Sequence, residues 1–381
     1  MTNPSLTLQI LPVASGTPAM EDFLKLPWRI QGQDPCWVPP ILAHQRKFLD
    51  PKHSFFFDIG EAQYFLALQN GDPVGRLSAH INRMHDERYQ DNTGFFGFFE
   101  CVDDKAVAHA LFEAAAAWLR ERGKTRIRGP LSFSIYDEVG LLVEGFDTIP
   151  ALMQIHNPPY YLELITSWGF EKAIDWLALK ITRPPRDIEG MQRKLNQIMD
   201  RDNLRLIAPK PSEIMQRKDE VFHLFNDAWD SNWSHLPFTP RQFETIIKEL
   251  RPVLRSDLMR IILTPDNKIA AFMITMPDLN PTIQKMNGKL SLFGMLRLYY
   301  EAHFKPLKKI RTVLLGVRRD FQRKMLHHAL ILSTYLDLSR QSSIEFCDCS
   351  LIPENLTIYL RTLYSYGAER HKAWRIFDRD I

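Results

Sequence analysis

Several side chains in this 381-residue sequence have the type and setting needed for acid–base or anion chemistry. Glu100 ends the run Gly94–Glu100 (GFFGFFE) behind four phenylalanines, where desolvation raises the pKa of a carboxyl group and suits it to proton transfer. The same carboxylate also reads as a cap for a helix starting near Asp104. Asp137 and Glu138 can recognise an ammonium group or take its proton. His156 is a further candidate base and, equally, a structural histidine. Arg318, Arg319, Arg323 and Lys324 precede an apolar helical pattern and can hold phosphates through charge-assisted hydrogen bonds, or form a solvated basic helix start. His327 and His328 are adjacent and cannot share a helix face, and the other histidines lack ligand spacing, so no metal site is read. Nothing near Cys101 favours its thiolate, and no G-x-S-x-G elbow, Walker loop or kinase motif set occurs.

Composition narrows the class. The chain is 45% hydrophobic and 24% charged, ordinary for a globular protein and long enough for two domains. Forty-eight Lys and Arg against forty-five Asp and Glu leave +3 overall, which argues against a dedicated nucleic-acid binder. The balance breaks locally: 281–328 holds eleven Lys and Arg against Glu301 and Asp320, a net of +9. No run reaches the ~18 apolar residues of a membrane span, and the first twelve residues do not read as a secretory signal. Cys36, Cys101, Cys347 and Cys349 form no C-x-x-C, so reduced thiols and a cytoplasmic location are expected.

The elements that must position these residues follow a mixed α/β order. Residues 5–13 read as a strand, and 62–69 and 73–81 as a hairpin around Asn70-Gly71-Asp72. Residues 94–101 read as a strand buried on both faces, and 105–122 as a helix opened by Asp103-Asp104 and stopped by Gly123. A strand at 126–131, a helix at 160–168 closed by Gly169 and a strand at 170–181 complete the first half. Strands at 204–208, 258–264, 268–276, 311–317, 343–347 and 368–378, with helices at 212–229, 322–338 and 356–366, repeat the order, including a hairpin at Pro265-Asp266-Asn267.

The repeat is visible in letters. YLELITSWGFEKAIDW from Tyr161 and YLRTLYSYGAERHKAW from Tyr359 align without a gap at an offset of 198, with six identities in sixteen, including Tyr161/Tyr359, Gly169/Gly367 and Trp176/Trp374. This predicts two copies of one α/β domain, 1–181 and 204–381. Residues 182–203 join them: Arg183-Pro184-Pro185 breaks the preceding strand, and 188–199 forms a linking helix.

That order of strands and helices resembles the GNAT-type acyl-CoA N-acyltransferase fold, in tandem as in the Fem-type aminoacyltransferases and the myristoyltransferases. The stretches GFFGFFE, Arg128-Gly129-Pro130, Asp137–Asp147 (DEVGLLVEGFD) and Asn157–Tyr161 (NPPYY) look like a bacterial group of tandem GNAT-like proteins that includes bacterial ceramide synthases. The resemblance implies an α/β fold of two mixed sheets flanked by helices, and transfer of an acyl group from acyl-CoA, as cosubstrate, to a lipophilic amine such as a sphingoid base. No permanently bound cofactor is implied.

The resemblance further implies that the fourth strand and following helix of one copy hold CoA. The C-terminal copy offers Leu315, Gly316 and Val317 with Arg318, Arg319, Gln322, Arg323 and Lys324, but Met325 and His327 stand where the family loop has glycines that let backbone approach phosphate. The N-terminal copy is acidic there, at Glu100–Asp104. Its long connection 132–159 is expected to shape the acceptor site, with Glu100, Asp137, Glu138 or His156 as base. Tyr160 is the first choice for protonating the departing thiolate, Tyr161 being a repeat-matched packing position. Two rivals stand beside this reading: a Fem-type transferase using aminoacyl-tRNA, and a degenerate, non-catalytic binding protein. Residues 290–311, apolar then lysine-rich, suit a core helix, an acyl tunnel or peripheral contact with the inner membrane surface.

Overall fold

The computed structural model describes residues 7–182, 187–340 and 343–381, so Arg183-Pro184-Pro185 lies outside the described residues. The chain divides into two compact units, Met1–Trp176 with Asn280–Ser291 and Lys372–Ile381, and Leu177–Leu279 with Leu292–His371. The sequence suggests consecutive halves, whereas these units interleave.

In chain order the structure carries β1 (Leu8–Val13), α1 (Pro18–Gln31), α2 (Leu42–Phe48), α3 (Phe56–Ile59), β2 (Gly60–Gln69), β3 (Asp72–Asn82), α4 (Arg83–Tyr89), β4 (Thr93–Cys101), α5 (Lys105–Arg120) and β5 (Arg126–Gly129). Short strands β6 (Leu131–Ser132), β7 (Glu138–Val139) and β8 (Leu141–Glu144) follow, then α6 (Tyr161–Ser167), β9 (Glu171–Ile181) and α7 (Ile188–Arg201). Next come β10 (Arg205–Ile207), α8 (Pro211–Gln216), α9 (Lys218–Trp229), α10 (Pro240–Leu250), β11 (Met259–Leu263) and β12 (Ile269–Pro277). The chain ends with α11 (Asn280–Met286), α12 (Leu292–His303), β13 (Lys309–Val317), α13 (Leu326–Arg340), β14 (Phe346–Pro353), α14 (Thr357–Ser365) and β15 (Glu369–Asp380).

In the first unit β1 to β4 form an antiparallel ladder and β5 joins β4 in parallel. The end of β15 then pairs with β5, Phe377 opposite Gly129. The β2–β3 hairpin turns on Asn70 and Gly71 at φ 53° and 89°, positive values that Asn-Gly tolerates. One apolar layer packs α5 through Val107, Ala108, Leu111, Phe112, Ala115 and Leu119, a helical spacing that opens at the Asp104 cap. The other layer packs α1 through Met20, Phe23, Leu24 and Leu26.

Strand β4 serves both layers because it is bulged. Glu100 stands opposite Arg76 and Gly97 opposite Ser78, so three steps on β4 match two on β3. Phe98 supplies the extra residue at φ 51°. Phe96, Phe99 and Cys101 therefore join the α5 layer, and Phe98 joins the α1 layer.

The connection 132–159 is ordered by its own polar groups. Ser132 pairs with Glu138 in a small hairpin, and β8 pairs with β15 at Ala373–Arg375. The Asn157 amide accepts from Leu142 N at 2.7 Å and donates to Leu142 O at 3.3 Å, as a neighbouring strand would. The fully buried Lys372 ammonium is held by the Gly145 and Thr148 carbonyls. Asn280 donates to Pro150 O at 2.8 Å and Gln284 to Pro35 O and Trp37 O at 2.8 Å, which binds α11 into this unit.

In the second unit β10 to β13 run antiparallel and β14 joins β13 in parallel. Three expectations are corrected. The 212–229 helix is two helices meeting at Arg217, whose guanidinium donates to the Asn267 carbonyl of the β11–β12 turn. The 322–338 helix begins later: Arg319–Lys324 is a 3₁₀ turn, and Met325 at φ 62° separates it from α13. The 126–131 strand is interrupted at Pro130, which has no N–H to donate to a ladder.

Two stability predictions follow from the α1 side of the sheet. His80 is enclosed by Phe56, Phe95 and Phe133, its Nε2 has no hydrogen-bond partner among the described residues, and burial holds its pKa down at about 3. The unfolded imidazole titrates near 6.5, so below that pH the unfolded chain binds a proton that the folded chain refuses. His80 thus stabilises fully above pH 6.5, and about 5 kcal/mol is lost progressively as pH falls towards 3. Urea midpoints of His80→Leu should fall less between pH 6.5 and 4 than those of the parent protein. Second, Arg76→Met should cost roughly 3–5 kcal/mol by leaving the Glu100 carboxylate buried alone. The Arg76→Met, Glu100→Gln double variant should recover more than half of that in denaturant titrations.

Candidate active site

The bulge in β4 sets the site. By placing Glu100 across from Arg76 it brings a carboxylate and a guanidinium together inside the first unit, Nη2 to Oε1 at 3.8 Å. Gln31, at the end of α1, donates Nε2 to both carboxylate oxygens at 3.0 and 2.9 Å. Tyr161, at the start of α6, donates its hydroxyl to Oε2 at 2.7 Å and accepts from Cys101 N at 3.0 Å. Arg76 is anchored by Phe23 O at 2.7 Å and lies over the Phe23 ring. Burial pushes the Glu100 pKa above the usual carboxylate range, against the opposing pull of Arg76 and of the Tyr161 and Gln31 hydrogen bonds. The side chain remains 11% exposed. A carboxylate poised in this way can accept a proton, and Tyr161 can return one.

Glu138 belongs to the same electrostatic group, acting on both Arg76 and Glu100. Its carboxylate accepts from Ser132 Oγ at 2.8 Å, and the Gln45 amide stands 3.5 Å away. Asp137 and His156 hold partners of their own, whereas Tyr160 stands beside Tyr161 and within the field of Glu100. Asp137 accepts from Ser134 Oγ at 2.5 Å, which ties it into its local turn. His156 is buried with Nε2 2.8 Å from Asp34 Oδ2, and burial lowers its pKa despite that carboxylate. Tyr160 donates to the Cys101 carbonyl at 2.7 Å, so its proton is engaged by β4 backbone. Sequence reasoning missed Gln31, Arg76 and the polar contact of Tyr161. The alternation of polar Arg76, Ser78 and His80 with apolar Leu77 and Ala79 along one strand was the available signal.

The GNAT-type gap between the fourth and fifth strands differs between the units. In the first, β4 and β5 pair only over Thr93–Phe95 and Arg126–Arg128, and the chain's own β6 then lies against β4. There a Cβ on Gly97 would meet Leu131 O at 2.2 Å. In the second, β13 and β14 pair over Lys309–Thr312 and Phe346–Cys349, beyond which Val313, Leu314 and Leu315 are half-buried. Leu315 O accepts from Trp229 Nε1 at 3.0 Å. Gly316 sits where a Cβ would meet Phe272 Cε1 at 2.6 Å, and Val317 is buried.

The cations that follow are matched by acids. Arg318 pairs with Asp320 at 2.7 Å, Arg319 with Asp227 at 2.8 Å and Asp230 at 2.7 Å, and Lys324 with Asp202 at 2.7 Å. Gln322 and Arg323 are exposed. Arg311, grouped by sequence with the lysines at 305–309 that would face lipid headgroups, is instead buried in β13 and donates Nε to Ser350 Oγ at 3.1 Å. Among the described residues no three His, Cys, Asp or Glu side chains are placed to hold a metal ion, and no helix is long and apolar enough to cross a membrane.

No family model matches the sequence. The chain is 32% identical to Protein YghO of Escherichia coli over 100% of both chains, and 31% identical to the bacterial ceramide synthase of Caulobacter vibrioides over 98% of both. Among solved structures, a tandem GNAT protein from the clavulanic acid biosynthesis pathway superposes with a TM-score of 0.54 at 12% identity, over 98% of both chains. A GCN5-related N-acetyltransferase from Sphaerobacter thermophilus gives 0.51 at 12%, over 98% of this chain and 95% of the other. The second pair shows the fold and the first pair the kinship: this chain belongs to the family of tandem GNAT-like proteins represented by YghO and the bacterial ceramide synthase.

Proposed function

We propose that the protein is an N-acyltransferase that moves an acyl group from acyl-CoA to the amine of a lipophilic acceptor, a sphingoid base or its 3-oxo form. The observation that carries this reading is the buried, hydrogen-bonded Glu100 carboxylate with its raised pKa, set at the end of β4. An alkylammonium titrates near 10.4 and must lose its proton before attacking a thioester. Glu100 takes that proton, Arg76, Gln31 and Tyr161 fix the carboxylate, and Glu138 adds negative charge that attracts the ammonium. Nitrogen then bonds to the acyl carbon as the carbon–sulfur bond breaks; the nitrogen's second proton goes to the departing CoA thiolate, and Glu100 releases the first to solvent.

The acceptor class takes its support from the ceramide synthase relative. The acyl-CoA donor takes its support from the N-acetyltransferase that shares the fold, and the candidate place for it is the edge of β13 beyond its pairing with β14 at Thr312, where pantetheine would add as a strand does. Pyrophosphate there competes with Asp320, Asp227 and Asp202 for Arg318, Arg319 and Lys324. That pairing, and the burial of Arg311, speak against an open RNA-binding strip and so against transfer from aminoacyl-tRNA.

The test is thiol release from acyl-CoAs of two to eighteen carbons, with and without sphinganine or 3-oxosphinganine, and mass spectrometry of the product. Amine-dependent release with long chains, and the matching amide, is the expected result. Release that ignores the amine, or amide formed from aminoacyl-tRNA alone, would contradict the reading.

A further inference from the structure

Helix α12 inverts the pattern of a core helix. Its buried residues are the small Gly294 and Ala302, while Leu292, Phe293, Met295, Leu296, Tyr299 and Tyr300 are exposed. Phe304, just beyond its end, is exposed too and stacks on Tyr300 at 5.8 Å. Of the thirteen large apolar side chains exposed among the described residues, seven thus lie within 292–304. Phe293 is 77% and Leu292 71% exposed. At about 100° per residue these seven positions fill roughly half the helix circumference, an arc that carries no acid.

Charge borders that arc. Arg297 lies at its edge by the same count, and Lys305 follows the helix end; both are paired at 3.2 Å with Glu301, whose side chain is only 17% exposed. Lys308 follows, 77% exposed and 3.4 Å from Glu345. The acid is thus turned inward and the cations are exposed, Arg297 at the rim of an apolar and tyrosine-rich face and the two lysines just past the helix end.

We propose that α12 is a docking helix that lies flat on an anionic phospholipid bilayer, its apolar arc among the acyl chains and Arg297, Lys305 and Lys308 at the headgroups. The proposal stands apart from the transfer reaction, and its test reads binding, not turnover. The intact protein is sedimented with vesicles of phosphatidylcholine alone or with three parts in ten phosphatidylglycerol, at low and high salt. At low salt the parent protein should bind the anionic vesicles at least ~10-fold more tightly than the neutral ones, and high salt should narrow the difference. The Phe293→Ser, Leu296→Ser, Tyr300→Ser triple variant should lose binding to both, and Lys305→Glu, Lys308→Glu should lose the anionic preference. Both should keep the parent's thermal midpoint. No binding to either vesicle, or a serine variant that sediments like the parent, would overturn the proposal. So would a dimer in sedimentation velocity that the serine variant abolishes, which would assign the face to a second copy.

Discussion

The candidate site in the first unit is built around one buried ion pair. Glu100 and Arg76 face each other across β4 and β3 only because Phe98 supplies an extra residue to β4. Two charges inside a protein are tolerable when they are hydrogen-bonded, and here Gln31 and Tyr161 bond the carboxylate and the Phe23 carbonyl the guanidinium, whose Nε has no partner among the described residues. The helix capped by Thr17 delivers Gln31, and the helix starting at Tyr161 delivers the phenol. The bulge also lets a phenylalanine-rich strand fill two layers, so the feature that positions the carboxylate also builds its dry surroundings.

Much of the architecture was legible in the sequence, and the exceptions have physical reasons. Asn70-Gly71 and Pro265-Asp266-Asn267 mark hairpins because backbone with positive φ needs such residues, and the structure has both. The α5 helix announces itself through its Asp104 cap and apolar stripe. The bulge at Phe98 does not, because every residue of β4 is buried and no polar alternation reveals the change of phase. For the same reason Glu100 was visible as a desolvated carboxylate but its partner Arg76 was not. The repeat pairing of Tyr161 with Tyr359 suggested packing. In the structure both sit in strongly desolvated surroundings that push the phenol pKa up, and Tyr161 also bonds to Glu100.

The two copies have diverged in complementary ways. In the first, the Leu131–Ser132 strand closes on Gly97, and polar side chains collect at the end of β4. In the second, β13 leaves β14 after Thr312, and the charges beyond are balanced in place. The interleaving of the units follows from the same economy of strands. Lys372–Ile381 pairs with β5 and β8 in the first unit, and Asn280–Ser291 is held there by Asn280, Gln284 and Gly288.

The claim that Glu100 is the proton acceptor is tested most directly by the pH dependence of kcat/KM for the parent and for Glu100→Gln, each with its thermal midpoint measured. A base works ionised, so the parent rate should rise with pH through a pKa above 4.5, the ordinary value for glutamate. Glu100→Gln should stay folded, lose that limb and fall by about 10²–10⁴-fold. A folded Glu100→Gln protein with the parent's rate and profile would contradict the account.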